Sequence, residues 1–210
     1  AGYGLASRIV AAFGSAASTV NVAFERPATG KRTATVGYYN TEYFEEVARN
    51  ESLFAKTVYG DAFSNEIKDQ AMDLVREMGG VDLLVYSLAS PMRTDPETGE
   101  TYRSVLKPVG EPFTARTIDT MSGEFKSVTA EPATEEEVEA TVKVMGGEDW
   151  SLWVDRLVEE GLFAEGAMTV AYSYIGPELI ARVYREGSIG KAKEHLEATA
   201  AELSKKLASV

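Results

Sequence analysis

The run at 81–88, VDLLVYSL, constrains the fold more than any other stretch of the chain. Its nearly continuous apolar character predicts a strand buried on both faces, and such strands belong to parallel sheets covered by helices on each side. TVNVAF at 19–24, AKTVY at 55–59 and MTVAY at 168–172 read as further strands. Amphipathic stretches lie between them. Leu5, Ile9, Val10 and Phe13 mark a helix ending at Gly14, Phe44 and Val47 mark one over 41–50, and Ile67, Ala71, Leu74 and Val75 mark one over 65–78. This alternation predicts an α/β fold, a Rossmann-like doubly wound and mostly parallel sheet. The 210 residues suit one domain, and no repeat or linker divides them.

From 93 to about 150 the pattern changes. PETG at 96–99 is a turn, and TYRSVLKPVG followed by FTARTIDT alternates weakly, as in a hairpin excursion outside the core sheet. Thr134 with Glu137 forms a capping box opening a helix to about residue 144. MGGEDW at 145–150 interrupts it, and a further helix over 151–160 carries Trp153, Leu157 and Val158. The chain closes with a helix over 189–207, striped by Ala192, Leu196, Ala200, Leu203 and Leu207.

The formal charge of −12 argues against nucleic acid and against an anionic membrane surface as partners, because both need clustered Lys and Arg. An anionic cofactor stays possible where its phosphates sit on local amides. The absence of cysteine excludes disulfides, thiol nucleophiles and thiolate metal sites, and the lone His195 cannot build a histidine cluster. Glu148 and Asp149 are adjacent acids that point apart, so they read as a helix start, and no metal is expected. The acidic run 135–137 reads as solvated helix surface favoured by the helix dipole. No apolar run approaches membrane-spanning length and the N-terminus lacks a signal-peptide layout, so a cytoplasmic protein is expected.

The candidate chemistry lies in AYSYIGPELIARVYREGSIGKAK at 171–193. Tyr184 and Lys193 are nine positions apart. On one unbroken helix, nine steps of about 100° put them on opposite faces, so they meet only across a bend. Gly187-Ser188 supplies one, through glycine's freedom and serine's capacity to cap a helix. An ammonium near a phenol favours the phenolate and makes the pair an acid catalyst. The alternative is a wet turn with ordinary surface lysines. Lys191 reads as surface and Tyr172 as a packed strand residue. Glu25 ends its strand 21 positions after Gly4, the offset of an acid that hydrogen-bonds a dinucleotide's adenosine ribose, although a strand-ending Glu is common on any surface. Arg26, Lys31 and Arg32 nearby leave room for a 2′-phosphate, so NADH leads over NADPH only by a lean.

GYGLASRI, VAFE, GDAFS, VYSLASP, VMGGEDW, and Tyr184 followed after eight residues by Lys193, occur in this order along nearly the whole chain. Together they resemble the bacterial NADH-dependent trans-2-enoyl-CoA and enoyl-acyl-carrier-protein reductases of the FabV and Ter type, relatives of the short-chain dehydrogenases. The resemblance implies that Tyr184 is the proton donor and that Lys193 contacts the nicotinamide ribose and tunes Tyr184. It implies Tyr174 against the enoyl thioester, Gly2 and Tyr3 at the end of the phosphate loop, Phe24 and Glu25 on the adenosine ribose, Asp61 and Ala62 on the adenine, and Leu88 and Ala89 along the cofactor's middle. The substrate is then an enoyl-CoA or enoyl-acyl-carrier protein, and the full-length form a monomer.

Members of that family begin earlier, with a strand ending in the phosphate loop, and continue past residue 210. The chain therefore resembles a reductase truncated at both ends, lacking a first strand that would be central, between those at 19–24 and 81–88. Poor NADH binding and slow turnover, or none, are expected of residues 1–210 alone. Two other readings fit the same residues: a non-catalytic nucleotide-binding remnant, and a carbonyl reductase using the same tyrosine–lysine pair.

Overall fold

The computed structural model describes residues 2–174 and 176–208. Ala1 of the AGYG start, Ile175 of the tyrosine stretch, Ser209 and Val210 lie outside the described residues. The chain forms two compact units: Ala1–Ser87, Leu152–Val170 and Lys206–Val210 make unit 1, and Leu88–Ser151 with Ala171–Lys205 make unit 2.

Unit 1 carries the alternation read from the sequence. Its elements are α1 (Tyr3–Ser15), β1 (Thr19–Ala23), α2 (Val36–Asn50), β2 (Ala55–Tyr59), α3 (Asn65–Met78) and β3 (Val81–Tyr86), joined by most of α5 (Glu148–Glu159) and of β8 (Phe163–Ala171). β1 and β2 run parallel, with Thr19 opposite Ala55 and Ala23 opposite Tyr59. The sheet is covered on both faces. Val58 packs with Ile67, Ala71, Met72 and Val75 of α3 and with Trp153 and Leu157 of α5. Ala55 is three residues away and so on the other face of β2; it joins Ala12, Phe44 and Ala48 of α1 and α2. Met72 and Leu157 are essentially fully buried, each contributing about 2 kcal/mol of transfer free energy. Ser64 starts α3 by accepting a hydrogen bond from the Ile67 N–H, and Gly79, at φ 99°, ends it.

β3 departs from expectation. It ends at Tyr86 rather than 88 and is not buried on both faces: Asp82 is exposed and Leu83 is 46% exposed. Among the described strands it pairs only with β8, as β1 pairs only with β2, so no covered sheet continues across it. β8 begins five residues before the expected 168, and Tyr172, expected to pack, lies past its end and is 41% exposed.

Unit 2 holds two antiparallel hairpins, not one. β4 (Met92–Thr94) pairs with β5 (Thr101–Arg103) across the PETG turn, and β6 (Phe113–Ile118) pairs with β7 (Phe125–Ala130). TYR at 101–103 therefore pairs backward with MRT, because Asp95 closes the turn by accepting from the Glu97 and Thr98 amides. α4 (Glu135–Met145) opens with the expected capping box of Thr134 and Glu137. α5 starts at Glu148, three residues before the expected 151, immediately after Gly146-Gly147. The Glu148 carboxylate accepts from Arg93 at 2.6 Å and from Lys143 at 2.8 Å, so it closes a local ion network at the helix start. α6 (Ser188–Leu207) buries Ala192, Leu196, Thr199 and Leu203 along one stripe.

Candidate active site

In unit 1 the positions assigned to nucleotide binding gather where strands end. Phe24 and Glu25 follow β1, Asp61 and Ala62 follow β2, and the Gly60 N–H donates to the Ala23 carbonyl at 3.0 Å, so the two loops leave the sheet side by side. Gly2 and Tyr3 sit at the start of α1, where among the described residues no side chain caps the helix, and a helix N-terminus favours an anion. A Cβ on Gly4 would stand 3.2 Å from the Ser87 Cβ; glycine lets the start of α1 press against the chain leaving β3. Phe24 and Tyr3 are 77% and 81% exposed, apolar surface that a flat ring or a ribose can cover. The Thr35 hydroxyl, with Arg26, holds the Glu25 carboxyl below the usual carboxylate range, so it is an ionised acceptor at neutral pH. The Asp61 carboxylate accepts from the Phe63 N–H at 3.0 Å.

Two buried cations brace this rim, and neither was singled out from the sequence. Arg8 of α1 donates to Thr19, Thr57 and the Lys56 carbonyl, pairs with Glu45 at 3.3 Å, and stacks on Phe44. It ties α1 to β1, β2 and α2 at once. Lys68 of α3 reaches back to the Ala62 and Phe63 carbonyls at 3.0 and 2.9 Å, fixing the loop that carries Asp61 and Ala62. The signal in each case was a cation on the apolar stripe of an amphipathic helix: Arg8 falls between Leu5 and Ala12, and Lys68 one turn before Ala71 and Met72 and two before Val75.

In unit 2, Leu88, half-buried, and Ala89, exposed, follow β3 in irregular chain. Tyr174 and Tyr184 meet edge to face, ring centroids 5.6 Å apart at 89°. The bend expected before α6 is present: after a short 3-10 turn at Glu178–Ile180, a series of turns carries Tyr184 to Gly187, where α6 takes over. Ser188 does not cap α6 from outside. It is the first helical residue, fully buried, and its hydroxyl donates to the Val105 carbonyl at 2.5 Å and accepts from the Lys107 N–H at 3.3 Å. Its own N–H donates to the Lys107 carbonyl at 3.0 Å. The turn after Tyr184 is thereby tethered to the irregular segment 105–108, where Pro108 also makes an isolated bridge to Gly187.

Lys193 lies one turn into α6, half-buried, and burial pushes its ammonium below the usual lysine range. Among the described residues it pairs with no carboxylate, and no hydrogen bond joins it to the Tyr184 hydroxyl. A half-buried ammonium of this kind suits a polar ligand such as a sugar diol. Lys191 is exposed and pairs with Glu194 at 2.9 Å, as a surface lysine does. His195 accepts from the Gly147 N–H at 3.0 Å through Nδ1, an anchor between α6 and the start of α5.

Known proteins with this pattern are informative. The catalytic region of trans-2-enoyl-CoA reductase matches residues 32–210, and the NAD(P)H binding domain of trans-2-enoyl-CoA reductase matches residues 1–30. The chain is 56% identical over 210 residues to the enoyl-acyl-carrier-protein reductase (NADH) of Flavobacterium johnsoniae, covering 100% of this chain and 53% of that protein. It matches the crystal structure of Treponema denticola trans-2-enoyl-CoA reductase in complex with NAD at TM-score 0.93 and 56% identity, over 98% of this chain and 52% of that one. It matches the Clostridium acetobutulicum trans-2-enoyl-CoA reductase in complex with NADH at TM-score 0.93 and 45% identity, over 100% and 53%. The chain thus spans about half the length of the relatives it matches, and its fold is the mixed α/β, Rossmann-like arrangement that the alternation predicts.

Proposed function

The chain belongs to the trans-2-enoyl-CoA reductase family, and from that premise we propose that it serves the NADH-dependent reduction of the carbon–carbon double bond of trans-2-enoyl thioesters, carried on CoA or acyl carrier protein, in fatty acid synthesis. The two units act as one reductase domain. The whole protein works as a cytoplasmic monomer without nucleic acid or membrane insertion.

The residues fit a dinucleotide. Gly2 and Tyr3 meet the pyrophosphate at the uncapped start of α1, Phe24 and Glu25 the adenosine ribose, Asp61 and Ala62 the adenine, and Leu88 and Ala89 the middle of the cofactor. The ionised Glu25 accepts from a ribose diol and repels a 2′-phosphate, which favours NADH over NADPH. Lys193 takes the nicotinamide ribose hydroxyls, consistent with a half-buried ammonium that no described carboxylate neutralises.

When bound, the reduced cofactor supplies the hydride that reaches the β-carbon. The protein's task is the other end of the conjugated system, where negative charge develops on the thioester oxygen. The Tyr184 hydroxyl hydrogen-bonds that oxygen and gives up the proton that ends on the α-carbon, and Lys193 eases its release by favouring the phenolate. Tyr174 lies against the enoyl thioester. The observation that carries this reading is the edge-to-face pair of Tyr174 and Tyr184 one bend away from the half-buried Lys193.

Following the NADH absorbance with crotonyl-CoA, and separately with a ketone, tests it on the longest active form of the protein. Oxidation with the enoyl thioester alone is expected, and Tyr184→Phe should cut turnover about 100-fold or more. Oxidation with the ketone alone would make it a carbonyl reductase, and NADH binding without turnover of either would make it a nucleotide-binding remnant.

A further inference from the structure

We propose that Gly176 is a positioning residue for Tyr184, an inference that rests on the reading of Tyr184 given above. Gly176 has φ +71°, in the left-handed region that disfavours a side chain. Its bare Cα also faces the tyrosine. A Cβ built there would lie 3.2 Å from both Cβ and Cγ of Tyr184 and 3.3 Å from Cδ1 of Ile180, tighter than the roughly 3.5–4 Å of an ordinary carbon contact. Cβ and Cγ are the stem of Tyr184, held by backbone that donates from the Tyr184 N–H to the Ile180 carbonyl at 3.0 Å, so the crowding cannot be relieved by swinging a side-chain tip. The ring must tilt instead. A tilt of a few tenths of an ångström at Cγ grows along the ring toward the hydroxyl, and the same ring meets Tyr174 edge to face, so both tyrosines are disturbed. Catalysis by an aimed hydroxyl is sensitive on this scale: a misplacement of about 1 Å costs on the order of 100-fold. The absent side chain at 176 therefore fixes where the hydroxyl points, although Gly176 touches no substrate in this role.

A double-mutant cycle between positions 176 and 184 tests it, on the longest active form of the protein with crotonyl-CoA and NADH. Gly176→Ala is expected to lower kcat at least tenfold and leave KM for NADH within twofold. In a Tyr184→Phe background, where the hydroxyl is gone, the same change should lower kcat less than twofold further. Gly123→Ala is the control: Gly123 also has positive φ, 74°, but nothing lies within 4 Å of its would-be Cβ, so it reports backbone strain alone and should leave kcat within twofold. Should Gly176→Ala fail to fold, Gly176→Asn carries the test, because asparagine tolerates the left-handed region and still brings the Cβ. A Gly176 variant that keeps kcat within twofold of the parent overturns the inference. So does a loss that multiplies fully with Tyr184→Phe, which would mark a purely structural role. Full activity in Tyr184→Phe alone overturns the inference together with the catalytic reading of Tyr184, whereas a silent Gly176 beside an inactive Tyr184→Phe overturns the inference only.

Discussion

The rim of unit 1 proposed to hold the nucleotide and the tyrosine segment of unit 2 are built by different means. On the rim, each candidate residue stands one to three positions beyond a strand or at the mouth of a helix, and the β1–β2 ladder places two of the loops directly. The fold itself aims these residues, with Arg8 and Lys68 clamping the elements from inside. The tyrosines have no ladder. Between the end of β8 and the start of α6 the described chain has one short 3-10 turn, and Tyr184 is aimed by a few contacts: the Gly176 approach, the ring of Tyr174 and the Ser188 tether. Positions that depend on a sheet change only when the sheet does. A hydroxyl that depends on three or so contacts can be re-aimed by single substitutions with the fold intact.

Substitutions on each side should separate the two regimes. The largest effect is expected at Arg8. Arg8→Ala leaves the Glu45 carboxylate without its buried partner and strips hydrogen bonds from Thr19, Thr57 and the Lys56 carbonyl. Loss of one partner from a buried pair costs about 3–5 kcal/mol, to be read from urea unfolding. Ser188→Ala should cost less, about 2 kcal/mol, because it orphans the half-buried Val105 carbonyl and the Lys107 N–H without leaving a charge. Amide hydrogen exchange sharpens the comparison: Arg8→Ala should speed exchange in β1 and β2, and Ser188→Ala around 105–108 and 187–190. Equal acceleration everywhere in both variants would mean that the units open together and the contrast between them is not energetic.

Legibility in the sequence follows the same division. The strands at 19, 55 and 81, the helix at 65–78 and the capping box at Thr134 declare themselves by period and local chemistry, and the structure has them within a residue or two. What failed was what depends on neighbours. The run at 81–88 looks two-sided by composition, yet the exposure of Leu83 is set by which strands lie beside it, and no periodicity encodes that. TYR at 101–103 paired with the preceding strand rather than the following one because a carboxylate at Asp95 closes the nearer turn. In the candidate site, the bend before α6 was legible from Gly187, but the reason differs from the expected one: Gly187 is not at positive φ, and its missing side chain instead lets the Val183 and Lys107 carbonyls approach. Ser188's true partners lie more than 80 residues back, at Val105 and Lys107, and reach the site only through the tertiary fold. Gly176 carried no signal in its own spacing, since its role is defined by a ring eight positions on.

The smallest expected effect falls on Lys193, and its sign separates a group kept for chemistry from one kept for stability. Burial lowers the Lys193 pKa from 10.5, and among the described residues no carboxylate compensates. Below the folded-state value the lysine is protonated in both the folded and unfolded chain, so the cost of burying the charge is fully present. As pH rises between the lowered folded value and the unfolded value near 10.5, the folded state releases its proton first and the cost fades; above that window nothing is left to relieve. Lys193→Met, similar in length and apolar, should therefore raise the melting temperature of the ligand-free protein at pH 7, and the gain should shrink toward zero as pH passes 10.5. Arg8→Ala and Ser188→Ala should be destabilising at both pH values. A Lys193→Met variant less stable than the parent at neutral pH would show that the ammonium makes a favourable contact in the folded state, and would place Lys193 with Arg8 and Lys68 among the braces of the fold.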